Sequence, residues 1–101
     1  MTWLDSVLYG EAGLTFVLSG LNSASMAGLA ARATSRARQV GASALAFVCA
    51  GVAMESLAFL ALAAPASEMH PAAVLALLLV RTLLLASTAL ITALVLRAIS
   101  Q

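Results

Sequence analysis

Residues 41–96 read GASALAFVCAGVAMESLAFLALAAPASEMHPAAVLALLLVRTLLLASTALITALVL, two long apolar runs joined by the break AAPASEMHPA at residues 63–72. Each run carries a single charge, Glu55 in the first and Arg81 in the second. Both lie equally far from Glu68, at the centre of the break. In an antiparallel helical hairpin, residues equidistant from the turn sit at similar depth. The spacing therefore predicts that Glu55 and Arg81 face one another across such a hairpin. Strand-like alternation is absent and Ala and Leu dominate, so both runs are predicted to be helical.

Composition decides the solvent. The chain has 101 residues, 63% hydrophobic and 9% charged, and a mean hydropathy of +1.09. A soluble domain of this size has about a quarter of its residues charged, so no water-facing surface can be assembled from these side chains. A membrane span needs about 20 predominantly apolar residues, and its backbone groups must be satisfied internally. Three stretches meet that requirement: residues 12–31, 41–64 and 73–96. The predicted fold class is an all-α integral membrane protein with three transmembrane helices, the last two forming an antiparallel hairpin, in a single membrane domain.

Working outward from the hairpin, Pro65 and Pro71 bound an outer loop at residues 65–72, because proline stops one helix and starts the next. Residues 32–40 form a loop carrying Arg32, Arg36 and Arg38, and Arg97 opens a short tail at residues 97–101. Arginines near span ends mark the cytoplasmic side, which predicts amino terminus out and carboxy terminus in. Residues 1–11, MTWLDSVLYGE, combine Asp5 and Glu11 with Trp3 and Tyr9 and are expected to lie along the outer interface, where amphipathic aromatics gather. The first basic residue is Arg32. The basic start of a secretory signal is therefore missing, and the first span is expected to be retained. The expected location is a bacterial inner membrane.

The first span is diluted by Thr15, Ser19, Asn22, Ser23 and Ser25. Small residues recur every fourth position as Gly20, Ala24 and Gly28, with Ser19, Ser23, Ala27 and Ala31 on the next row. Small-xxx-small rows let helix backbones approach closely where lipid offers no hydrophobic drive. This helix is expected to pack through its Gly20–Ala24–Gly28 row, and Asn22 to bond across helices. Gly51, one turn before Glu55, is expected to leave room for a guanidinium. Thr88 and Thr92 extend the Arg81 face as a polar stripe.

A charge deep in a bilayer costs at least about 2.5–3.5 kcal/mol, and a neutralising partner at equal depth reduces that cost. The first reading of Glu55 and Arg81 is therefore an ion pair that fixes helix register. A proton or ion relay through Glu55 is the second reading, and a pair closed between two chains is the third. A nearby cation favours the ionised carboxylate, which weighs against a shuttle.

Other chemistries find little support. His70 has one nearby carboxylate in Glu68, far from the three or four ligands of a metal site. No Ser/His/Asp set can assemble around one histidine in an outer loop. Phosphate loops and HExxH are missing, Cys49 has no second cysteine to pair with, and Met26, Met54 and Met69 share no helical face. The arginines form no extended basic face for nucleic acid. No enzyme and no cofactor are predicted, and a bound lipid, quinone or pigment is left open.

Residues 36–63, RARQVGASALAFVCAGVAMESLAFLALA, resemble the second half of an ATP synthase c subunit, which has an Arg-Gln-Pro loop and then a helix with a mid-membrane carboxylate. The resemblance implies an ion-carrying role for Glu55. Val40 stands where that family has proline, and a third span is present. The three-span layout also resembles the K-type subunit of proton-pumping NADH dehydrogenase, which has a glutamate midway along its second span. The third-span charge here, Arg81, has the opposite sign, and the chain is assigned to neither family. The function expected first is a non-catalytic accessory or assembly subunit of a larger, energy-transducing inner-membrane complex. Its partners would be membrane lipids and other transmembrane subunits, a hetero-complex ahead of a homo-oligomer. A proton- or ion-translocating subunit built on Glu55 comes second, and a holin-like self-assembling pore third.

Overall fold

A computed structural model of the chain describes residues 3–62 and 68–100. The described residues are all-helical or connecting: α1 (Trp3–Arg32), α2 (Arg36–Leu62) and α3 (Pro71–Ser100). All three helices are long and apolar enough to cross a membrane. A 30-residue helix rises about 45 Å at 1.5 Å per residue, and the molecule measures 51 × 21 × 18 Å. Its length is therefore that of its helices laid side by side.

The helices extend further than the apolar runs. The basic stretch is not a long loop, because α1 continues through Arg32 and α2 begins at Arg36. Only Ala33, Thr34 and Ser35 lie between them, with the Ala33 N–H closing the last turn on the Ala30 carbonyl at 3.3 Å. The first eleven residues do not form a separate surface segment either, since α1 runs from Trp3 through residue 12 without a break. The physical reason is a continuous packing row of Asp5, Leu8, Ala12, Thr15, Ser19 and Asn22, all buried and spaced three or four apart. Asp5 also lies in the first turn, where a negative charge suits the helix dipole.

At the start of α3, Pro71 takes the first helical position, where its missing N–H costs nothing. The His70 ring caps the same end: its Nδ1 accepts a hydrogen bond from the Ala72 N–H at 3.1 Å. Of the expected outer loop, residues 65–67 lie outside the described residues, as do the last two positions of the expected second span.

Close packing is centred on α1. It lies against α2 along much of its length and against α3 more sparingly, while α2 and α3 have little backbone proximity among the described residues. Tyr9 meets Phe59 near one end and Ser23 meets Ala46 farther along, so α1 and α2 pass in opposite directions. Glu11 meets Thr82 and Asn22 meets Thr88, so α1 and α3 advance together. The hairpin expected to organise the fold is thus not the tight unit. Side-chain size explains the difference. Small buried residues (Ala12 and Ser19 on α1, Ala46, Cys49, Ala53 and Ser56 on α2) permit close approach, whereas Arg81 fills the space between α2 and α3.

About half of the buried residues are polar, while the surface is greasy. The four largest side chains buried almost completely are Asn22, Thr15, Ser19 and Ser56, while Leu14, Leu21, Phe47, Leu79, Leu83 and Leu90 face outward. Water would reward the reverse arrangement. A hydrocarbon solvent rewards this one, because polar groups find partners only inside the bundle.

Candidate functional site: a charged layer shared by three helices

Arg81 anchors the layer. It sits ten residues into α3, about 15 Å along the helix axis, with only 3% of its side chain exposed. Its Nη2 donates to Glu55 Oε1, and its Nη1 donates to the Ser56 hydroxyl at 3.3 Å. The guanidinium also lies over the Phe59 ring, 4.7 Å from the centroid. A cation over an aromatic face gains roughly 0.5–2 kcal/mol, more when desolvated. Phe59 in turn meets Tyr9 of α1, with ring centroids 6.1 Å apart and tilted by 53°. One arginine therefore ties α3 to consecutive turns of α2 and, through Phe59, to α1.

Glu11 is the second acid of this layer, although the sequence alone suggests a place at the surface. Thr82, the neighbour of Arg81, donates its hydroxyl to Glu11 Oε2 at 2.8 Å, which brings this carboxylate to the level of the guanidinium. The other oxygen, Oε1, is buried without a hydrogen-bond partner, as is Arg81 Nε. A signal is present in the spacing: Glu11 precedes Ala12 and Thr15 on the buried row, and only the aromatic residues around it suggest an interface.

Glu55 and Arg81 are brought together, but unequally. Arg81 is enclosed, whereas 52% of the Glu55 side chain is exposed. Gly51 shares that exposed face of α2, opposite Ala46, Cys49, Ala53 and Ser56. It does not make room for the guanidinium, since that position belongs to Ser56, which is 0% exposed. Sequence reasoning misses Ser56 because the wide spacing between α2 and α3 decides which flank of Glu55 the arginine reaches.

A second polar layer lies deeper. Asn22, buried on α1, donates its side-chain amide to the Thr88 carbonyl at 3.4 Å, and Ser23 donates to the Ala46 carbonyl at 2.9 Å. The stripe of Thr88 and Thr92 does not point free hydroxyls into the bundle. Thr88 bonds the Leu84 carbonyl at 2.8 Å and Thr92 the Thr88 carbonyl at 2.9 Å, each four residues back. Such back-bonding is the ordinary use of threonine inside an apolar helix.

The row Gly20–Ala24–Gly28 is not the face by which α1 packs within the chain. Gly20 and Ala24 are exposed, and Gly28 keeps part of its surface open. Among the described residues, a Cβ added at any of the glycines would meet no atom of another helix within 4 Å. Packing instead uses the row through Ala12, Ser19 and Asn22, where small side chains allow close approach and Asn22 adds a bond to α3. Arg32, Arg36, Arg38 and Arg97 are all exposed. They lie at one end of the bundle, where Arg32, Arg38 and Ala98 line a common cleft. The described residues hold no cluster of three His, Cys, Asp or Glu side chains around a common point.

No protein-family model, curated protein or solved structure matches the chain. Its class rests on its own helices: an all-helical chain with three segments able to cross a membrane.

Proposed function

We propose that the chain is a small non-catalytic subunit that assembles with other transmembrane chains in a larger inner-membrane complex, its arginine-bearing end towards the cytoplasm. The observation that carries this reading is the exposure of Glu55. A carboxylate about 10 Å from Leu62 along the helix axis, half exposed on a face otherwise made of apolar side chains, is poorly served by lipid alone. A partner helix that covers it restores a low-cost environment. Gly51 on the same face and the outward Gly20–Ala24–Gly28 row of α1 allow a partner backbone to approach closely, as small-residue rows do in membranes. Glycine disfavours a helix by about 1 kcal/mol relative to alanine, and these glycines return nothing within the chain. Extraction in a gentle detergent, affinity capture and mass spectrometry test the reading. Stoichiometric recovery of other membrane proteins is expected, and a lone monomer would overturn it.

A second reading is an ion- or proton-translocating subunit, favoured by the excess of acid in the charged layer. Two carboxylates, Glu11 and Glu55, stand against the one guanidinium of Arg81, and a proton or a cation would balance the surplus. In liposomes this reading expects a flux that Glu55→Gln or Glu11→Gln abolishes. No flux from the unaltered protein ends it.

A further inference from the structure

We infer that the arginine-bearing end holds a site for one anionic glycerophospholipid, with its phosphate between Arg32 and Arg38 and an acyl chain along α3. This site is distinct from the Glu55 face and does not depend on the partner proposed above.

Charge is segregated along the bundle. Of the five basic residues, four (Arg32, Arg36, Arg38 and Arg97) lie at one end, while the acids are Asp5, Glu11, Glu55 and Glu68. None of those acids lies near the arginine-rich end: Asp5 and Glu11 open α1, Glu55 pairs with Arg81, and Glu68 just precedes α3. The positive end therefore finds no carboxylate partner among the described side chains.

A cavity opens at that end. A cleft of about 440 Å³ lies between the α1–α2 connection and the end of α3, lined by Arg32, Thr34 and Arg38 together with Ala33, Ala42 and Ala98. The alanines leave the space and the arginines flank it. Arg32 is held along its own helix by a hydrogen bond from Nε to the Gly28 carbonyl at 3.3 Å. No acceptor among the described residues takes its two terminal nitrogens. Guanidinium groups bind phosphate oxygens through paired N–H donors, and Thr34 adds a hydroxyl at the same mouth.

The cleft continues as an apolar groove of about 130 Å³ lined by Leu45, Ile91, Leu94 and Val95, and Met26 and Ala98 belong to both. A cationic mouth leading into an apolar groove on a membrane-facing surface matches the two halves of an anionic lipid. A free phosphate would use only the mouth, and a zwitterionic lipid would set its own cation against the arginines. Basic pockets between membrane helices on the cytoplasmic side bind acidic headgroups for this reason.

Native mass spectrometry from detergent tests the site, with dioleoyl phosphatidylglycerol and dioleoyl phosphatidylcholine supplied at equal concentration. The intact protein is expected to retain one phosphatidylglycerol in preference to phosphatidylcholine by on the order of tenfold or more, given the pull of two arginines. Arg32→Gln with Arg38→Gln should abolish that preference, whereas Arg36→Gln with Arg97→Gln removes equal charge outside the cleft and should preserve it. Ala98→Trp, placed where cleft and groove meet, should weaken retention of the lipid, with circular dichroism confirming that the helices persist. Should that variant lose its helices, the arginine pairs still decide. Equal loss in the two arginine pairs would overturn the site in favour of diffuse attraction. Displacement of the lipid by excess inorganic phosphate would overturn it in favour of a plain anion site. Equal retention of both lipids by the intact protein would overturn it outright.

Discussion

The two ends of the bundle handle charge in opposite ways. At the end that carries Glu11 and Glu55, one arginine is enclosed by side chains from all three helices and finds its counter-charge within the chain. At the other end, four exposed arginines have no acidic side chain near them among the described residues, and two of them, Arg32 and Arg38, line an open cleft. The first arrangement holds helices together, and its loss is felt as instability. The second leaves charge for something outside the chain to neutralise, and its loss is felt in what the protein binds. Exposure of an arginine in a membrane protein thus separates an internal strut from an external contact.

The largest effect is expected at Arg81. Arg81→Leu leaves Glu55 and Glu11 without their cation; breaking a fully buried pair costs about 3–5 kcal/mol, which is the upper bound here because Glu55 is half exposed. Denaturation in mixed micelles, followed by circular dichroism, should show that loss. Combining Arg81→Leu with Glu55→Gln should recover part of it, because the exposed carboxylate is then neutral. If Arg81→Leu proved as stable as the parent, the two ends would not differ and the contrast between them would collapse.

Next comes Asn22→Leu, which removes the bond to the Thr88 carbonyl and places a larger side chain in a tight row. Interhelical polar bonds in membranes average about 0.6 kcal/mol and reach about 1.7, so a loss near the upper value is expected in the same assay. His70→Ala removes the cap of α3 and should cost about 0.5–1 kcal/mol, the lower part of the range for lost N-caps. His70→Asn should retain most of the stability. At the opposite end, Arg32→Gln with Arg38→Gln should leave stability in a zwitterionic detergent unchanged within about 0.5 kcal/mol, as for surface positions generally. A loss comparable to that of Arg81→Leu would show that the basic end is a strut as well.

Much of this architecture is legible in the amino-acid sequence. Apolar runs and the scarcity of charge dictate three helices, because a span must be long, apolar and internally bonded. Equal spacing from Glu68 puts Glu55 and Arg81 at one level. What stays hidden depends on rotation about each helix and on spacing between helices, which no periodicity reports when every face is apolar. Gly51 and Ser56 flank Glu55 on opposite sides, and only the position of α3 decides which of them Arg81 meets. Glu11 is easily misplaced because Trp3 and Tyr9 resemble an interfacial belt, whereas the row through Leu8, Ala12 and Thr15 continues the bundle past it. The Gly20–Ala24–Gly28 row has the pattern of a packing surface, yet the pattern does not tell inner from outer faces. The same small residues occur on both sides of α1, and only the side with hydroxyl and amide groups turns inward.

The central claim is that another transmembrane chain covers the half-exposed Glu55 and packs on the outward glycine row of α1. The direct measurement is affinity capture in gentle detergent of the parent and a Gly20→Leu, Gly28→Leu variant, with mass spectrometry of co-purifying membrane proteins and circular dichroism of both. Within the chain a Cβ added at either position meets no other helix, and at Gly28 it touches only the flexible end of Arg32, so helicity and unfolding should be unchanged while the partner is lost. Recovery of the same partner in the same amount by the variant would contradict the claim.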